Sequence, residues 1–124
     1  MLRVLIVEDN RIFREAFKKG LHEHFPSMVI EEAAMGEEAL QKINVAPPGL
    51  IFMDIRMPGI NGLELTQKIK RDWPTISIAI LTGYDLPEYR QAALKYGTDR
   101  FFVKNSIKWD EIEKFVKSIS VNPM

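Results

Sequence analysis

The chain reads as an α/β fold, a doubly wound five-stranded parallel sheet with helices on both faces. Three observations predict it. Apolar, strand-like runs alternate five times with helix-like apolar stripes, and that alternation calls for right-handed crossovers and a parallel sheet covered on both sides. Two of the runs, Leu50 to Met53 and Ile76 to Leu81, are almost unbroken in their apolar character, the pattern of strands buried on both faces. Pro and Gly mark several of the joins, at Pro47-Pro48-Gly49, Pro58-Gly59 and Trp73-Pro74, where both periodicities stop.

Leu2 to Val7 is the first strand, ending at Glu8-Asp9, and Asn10 is placed to cap the helix that follows. In that helix Ile12, Phe13, Ala16, Phe17 and Leu21 form one apolar stripe, and Pro26 ends it. Met28 to Ala33 is a weaker second strand whose Glu31 and Glu32 mark a sheet edge. Gly36 opens a helix running through Ile43, with early acids suited to the helix dipole. The third strand ends at Asp54, and Asn61-Gly62 leads a third helix with Leu63, Leu65 and Ile69 inward. The fourth strand stops at Thr82-Gly83. Pro87 starts a helix with Tyr89, Ala92, Ala93 and Tyr96 on its apolar face, capped by Gly97. Arg100 to Val103 is a short fifth strand before Lys104-Asn105. Lys108 to Ile119 closes the domain with Ile112, Phe115, Val116 and Ile119 inward.

The length of 124 residues suits one domain, expected over 1–120 with 121–124 as a tail or linker stub. Lys plus Arg equals Asp plus Glu, 17 each, so no global field points to nucleic acid or an anionic membrane. The absence of cysteine excludes disulfides, thiolate metal sites and thiol catalysis. The apolar start, broken by Glu8, is too short for a signal peptide or a membrane span, so a cytoplasmic protein is expected.

Function is read from the strand ends. An ionised carboxylate is expensive to bury, so Asp54 belongs at the open carboxyl end of its strand, where ligands of open parallel sheets gather. Glu8, Asp9, Asp54, Thr82 and Lys104 all fall on that edge, and only the second strand contributes nothing. Two like charges about 4 Å apart cost roughly 4 kcal/mol at an effective dielectric of 20. Three carboxylates against one lysine therefore favour a hard divalent cation, and Mg²⁺ suits a site with few protein oxygens. Asp54 is the residue able to attack phosphorus, with Lys104 neutralising the equatorial oxygens and the Thr82 hydroxyl bonding one of them. Arg56 and Tyr84 lie two residues beyond Asp54 and Thr82, at the rim where attacking water must enter. They are expected to tune the lifetime of a phosphoryl group.

The chain resembles the receiver domain of two-component response regulators over nearly its whole length. The matching residues are Val4 to Asp9, Phe52 to Gly62, Leu81-Thr82-Gly83 and Phe101 to Lys104. The resemblance implies a flavodoxin-like strand order, 2-1-3-4-5. It implies that Asp54 accepts a phosphoryl group from a sensor histidine kinase or a histidine phosphotransfer protein. It implies Mg²⁺ bound directly by Asp9 and Asp54, with Glu8 acting mostly through water and the Ile55 backbone carbonyl as a further ligand. Thr82 and Phe101 match the pair that couples phosphorylation to shape, with a homodimer or output domain docking on the fourth helix, fifth strand and fifth helix. Such a protein is a switch that catalyses only its own phosphorylation and dephosphorylation. Asn105 stands where a proline is usual, leaving the Lys104–Asn105 turn trans or strained. Receivers without that proline are similar to those joined to a LuxR-type helix-turn-helix domain, which points to a DNA-binding half absent from this chain; a stand-alone receiver acting by protein contact is the alternative.

Three rivals were weighed. A haloacid-dehalogenase-type phosphatase carries a second acid two residues after its nucleophile, where this chain has Arg56. A flavin binder of the same fold follows its first strand with a Ser/Thr/Gly-rich phosphate loop, whereas Glu8-Asp9 would repel phosphate. A receiver-like fold that is never phosphorylated is disfavoured by the complete set of five residues.

Overall fold

The computed structural model describes residues 2–120; the expected tail, 121–124, lies outside the described residues. Strands β1 (Arg3–Val7), β2 (Val29–Ala33), β3 (Leu50–Met53), β4 (Ser77–Thr82) and β5 (Arg100–Val103) form one sheet in the order β2-β1-β3-β4-β5. Every pairing is parallel, as the alternation predicts. Helices α1 (Arg11–His24), α2 (Gly36–Val45), α3 (Gly62–Asp72), α4 (Pro87–Lys95) and α5 (Trp109–Ser120) connect or close the strands, with one 3-10 turn at Lys104–Ser106. Among the described residues no helix is long and apolar enough to cross a membrane.

Side chains of the central strands alternate between two cores, which is why their sequences are apolar throughout. Leu5, Val7, Ile51, Met53, Ile78 and Ile80 pack with Ala39 and Ile43 of α2, Leu65 and Ile69 of α3 and Ala93 of α4. Val4, Ile6, Leu50, Phe52, Ala79 and Leu81 pack with Phe17 and Leu21 of α1 and with Ile112, Phe115 and Val116 of α5. The β2 edge is charged as expected: Glu31 pairs with Arg3 at 2.9 Å, and Glu32 with Arg14 and Lys18 at 3.1 and 3.0 Å.

The stripe read for α1 is too wide. Ile12 is 83% exposed and Ala16 is exposed as well; the buried row is Phe17, Gly20 and Leu21, with Phe13 half-buried above it. Positions 12 and 16 share a row that faces water, since α5 covers α1 through Trp109, whose ring lies where a Cβ of Gly20 would be. Capping follows the sequence. Asn10 and Asn61 accept the Phe13 and Glu64 amides at 3.1 and 3.0 Å. Gly97, at φ +88°, ends α4 in a Schellman motif, its amide bonding Leu94 O and the Thr98 amide bonding Ala93 O, both at 3.1 Å.

The β3–α3 loop, which carries the Asp54 carboxylate, is seated by Gly62. Its amide donates to the Ile55 carbonyl at 2.7 Å, and a Cβ on Gly62 would overlap the Asp54 carbonyl. Gly62→Ala should therefore destabilise the fold toward the upper end of the roughly 1–3 kcal/mol typical of overpacking, because the obstacle is backbone. Gly59→Ala, at φ +80° in open space, should cost only about 1 kcal/mol. Urea midpoints check both, and equal midpoints would remove this account of the loop.

Candidate functional site

The sheet ladder delivers the acids to one place. Val7 of β1 pairs with Met53 of β3, and the ladder continues one step further: the Asp54 amide donates to Val7 O at 3.0 Å and the Glu8 amide to Ala33 O at 2.9 Å. Glu8 and Asp54 thus leave adjacent strands side by side. Glu8 is 2% and Asp54 6% exposed, while Asp9 faces solvent. One carboxylate oxygen from each of the three lies within 4.8 Å of the others.

Lys104, one residue past β5, reaches back across the edge. Its ammonium is 2.6 Å from Glu8 Oε1 and 3.4 Å from Asp54 Oδ2. The Glu8 contact is close but badly angled for a hydrogen bond, so it is an ion pair first. Phe13 walls the lysine, its ring centroid 4.6 Å from the ammonium. The other oxygens are held by backbone: Asn10 N–H donates to Glu8 Oε2 at 2.9 Å and Ile55 N–H to Asp54 Oδ1 at 2.8 Å. Burial nevertheless pushes the Glu8 carboxyl up to about 7, with the Asp54 charge adding to it against the pull of Lys104 and the Asn10 amide.

The remaining expected residues fall around this cluster. Thr82, the last residue of β4, is fully buried, and its hydroxyl accepts the Tyr84 amide at 3.3 Å. The Ile55 carbonyl, expected to face a metal, is engaged by Gly62 N–H. Arg56 and Tyr84 are not two separate solvated side chains: the guanidinium carbon lies 3.6 Å from the Tyr84 ring centroid. Phe101, in β5, is half-buried, and the Arg90 guanidinium lies 4.6 Å from its ring centroid. The sequence reading missed Phe13 as a wall of the site, Tyr89 as a partner of Arg56 and Arg90 as the cover of Phe101. Phe13 and Tyr89 read as members of ordinary helix faces and Arg90 carries no signal of its own, and only the tertiary fold brings them across.

The profile of the response regulator receiver domain matches residues 4–117 of this chain. The chain belongs to that family. It is 35% identical over 106 residues to the oxygen regulatory protein NreC of Staphylococcus carnosus, which covers 85% of this chain and 49% of that protein. It is 37% identical over 106 residues to a protein-glutamate methylesterase/protein-glutamine glutaminase of Geobacillus kaustophilus, covering 85% of this chain and 30% of that one. The response regulator TrrA of Thermotoga maritima, solved with Mg²⁺ and BeF, superposes with a TM-score of 0.83 at 36% identity, covering 96% of this chain and 99% of that chain. This receiver domain therefore spans about half or less of the length of these two curated relatives. It is the receiver part of the two-component response regulator architecture, a signalling switch rather than a conventional enzyme.

The buried Glu8 carries a consequence for the metal-free protein. A carboxyl raised from 4.5 to about 7 on folding favours the folded state while protonated, so its contribution is present below about pH 4.5 and is lost as pH rises through 7. At pH 8 the ionised form costs the fold on the order of a few kcal/mol. Glu8→Gln should accordingly raise the urea midpoint of chelator-treated protein at pH 8 and leave it nearly unchanged at pH 5. A gain of equal size at both pH values would contradict that assignment.

Proposed function

We propose that this receiver accepts a phosphoryl group on Asp54 from a phosphohistidine of a sensor histidine kinase or histidine phosphotransfer protein. The observation that carries the reading is the cluster of Glu8, Asp9 and Asp54 oxygens within 4.8 Å, facing a single ammonium. With all groups ionised that set holds a net charge of about −2, and its donors are hard oxygens, which suits Mg²⁺. Asp9 and Asp54 would hold the ion, with Glu8 acting through water. The chemistry Mg²⁺ supplies when bound is neutralisation of charge on the incoming phosphoryl oxygens.

The residues of the chain divide the remaining work. The Asp54 carboxylate is oriented by the Ile55 amide and attacks phosphorus. Lys104, already between Glu8 and Asp54, turns its ammonium to the phosphoryl oxygens as the negative charge moves outward. The Thr82 hydroxyl has its proton free while its oxygen accepts the Tyr84 amide. It donates that proton to a phosphoryl oxygen and draws Gly83, Tyr84 and Asp85 with it. The space left beside the strand is filled by Phe101. Phe lacks a hydroxyl, so its inward state buries no unpaired polar atom, and phosphorylation biases an existing equilibrium. The surface altered is α4, β5 and α5, where a second copy or an output domain docks. Output is control of transcription through a DNA-binding domain outside this chain. The similarity to the transcriptional regulatory protein YesN of Bacillus subtilis, 31% identical over 105 residues, supports that class of output.

Acetyl phosphate with Mg²⁺ should add one phosphoryl group, read as a single mass increment, to the parent and none to Asp54→Asn. Asp9→Ala should lose the Mg²⁺ dependence of labelling. Labelling of Asp54→Asn at another aspartate would sink the assignment. Replacing Arg56 and Tyr84 together with alanine should change the rate of phosphoryl loss several-fold while shifting the urea midpoint little, and an unchanged rate would leave both as surface residues.

A further inference from the structure

Arg56 is rooted in the β3–α3 loop, two residues beyond Asp54, yet its guanidinium holds partners on the opposite side of the site. Its carbon lies 3.6 Å from the ring centroid of Tyr84 and 5.7 Å from that of Tyr89, and Nε donates to the Tyr89 hydroxyl at 3.1 Å. Tyr84 belongs to the β4–α4 loop and Tyr89 to the first turn of α4. One side chain thus ties three segments together.

Besides Arg56, the tied segment is held by the Arg90–Asp85 ion pair, by Arg90 over the Phe101 ring and by Tyr89 against the core, all but the last at the surface. The N-cap of α4 is Leu86, with no side-chain cap bond, and Ala93 is the helix's buried residue. Residues 83–85 are exposed, and the Thr82 hydroxyl reaches the Tyr84 amide only at 3.3 Å. Segments with few buried contacts open at low free energy, so losing one stacked and hydrogen-bonded guanidinium should be felt in the order of this one.

We propose that Arg56 is a positioning residue that latches the β4–α4 loop and the first turn of α4 to the acceptor loop, and that charging Asp54 releases the latch. The release rests on the reading of Asp54 as phosphoryl acceptor. A phosphoryl group brings a charge of about −1.5 to −2 and three acceptor oxygens. A charge-assisted bond to such oxygens is stronger than a bond to a neutral phenol or an exposed aromatic face. A guanidinium drawn toward Asp54 leaves Tyr84 and Tyr89, and the segment loosens. This route runs beside that of Thr82 and Phe101 and meets it at Tyr84, whose amide the Thr82 hydroxyl accepts and whose ring Arg56 covers.

Amide hydrogen exchange tests it on the whole chain, first without phosphoryl donor. Arg56→Ala should speed exchange across residues 84–91 about three- to tenfold, with β1 and β3 unchanged. Tyr89→Phe should speed it less, and should add nothing in the Arg56→Ala background because the two residues form one contact. Equal exchange in the parent and Arg56→Ala, or additive effects of the two substitutions, would overturn the latch. In the second arm acetyl phosphate and Mg²⁺ are added and labelling is read by mass. Labelling should speed exchange in this segment more in the parent than in Arg56→Ala, where only the Thr82 route remains. An equal acceleration in both proteins would overturn the release. Failure of the parent to take up a phosphoryl group would overturn the release together with the proposed function, while the first arm still decides the latch.

Discussion

The ammonium of Lys104, 2.6 Å from Glu8 and 3.4 Å from Asp54, is the contact on which the carboxyl edge of this sheet depends. Two of the three clustered carboxylates are buried, and a buried charge needs a partner of opposite sign. One lysine is not enough to satisfy them, as the raised Glu8 carboxyl shows. Desolvation outweighs the ion pair, and the edge is left short of positive charge. That shortage ties stability to chemistry: the charge pattern that would suit a cation and a phosphoryl group is one the fold holds at a loss.

The lysine is braced by an aromatic column. Phe13 stacks on Phe17 at 5.9 Å, Phe17 on Trp109 at 5.2 Å and Trp109 on His24 at 5.0 Å. This column joins α1 to α5 along one face of the sheet and fixes the wall against which the Lys104 ammonium rests. Gly20 makes it possible, because only a residue without Cβ leaves room for the Trp109 ring.

Much of this was legible in the sequence, for a definite reason. Apolar runs such as Leu50 to Met53 identify strands with two covered faces, and parallel strands put every carboxyl end on one edge. The grouping of Glu8, Asp9, Asp54 and Lys104 therefore follows from topology alone. What was not legible depends on local path or on contacts between distant segments. The exposure of Ile12 is set by where Trp109 docks. The bond from the Gly62 amide to the Ile55 carbonyl depends on the path of the loop, and a dipeptide such as Asn61-Gly62 reads equally well as an ordinary helix cap. Arg56 and Tyr89 are 33 positions apart, and nothing in either neighbourhood announces their contact.

Gly62 has a mechanical consequence. With its amide on the Ile55 carbonyl and no room for a Cβ beside the Asp54 carbonyl, the β3–α3 loop is bolted to α3 and, through it, to the core residues Leu65 and Ile69. The β4–α4 loop across the site has no such anchor. The two walls differ in stiffness, like a vice with one fixed jaw. A displacement at Asp54 then has one compliant direction in which to relax, toward α4, and the scaffold sets that direction before any partner arrives.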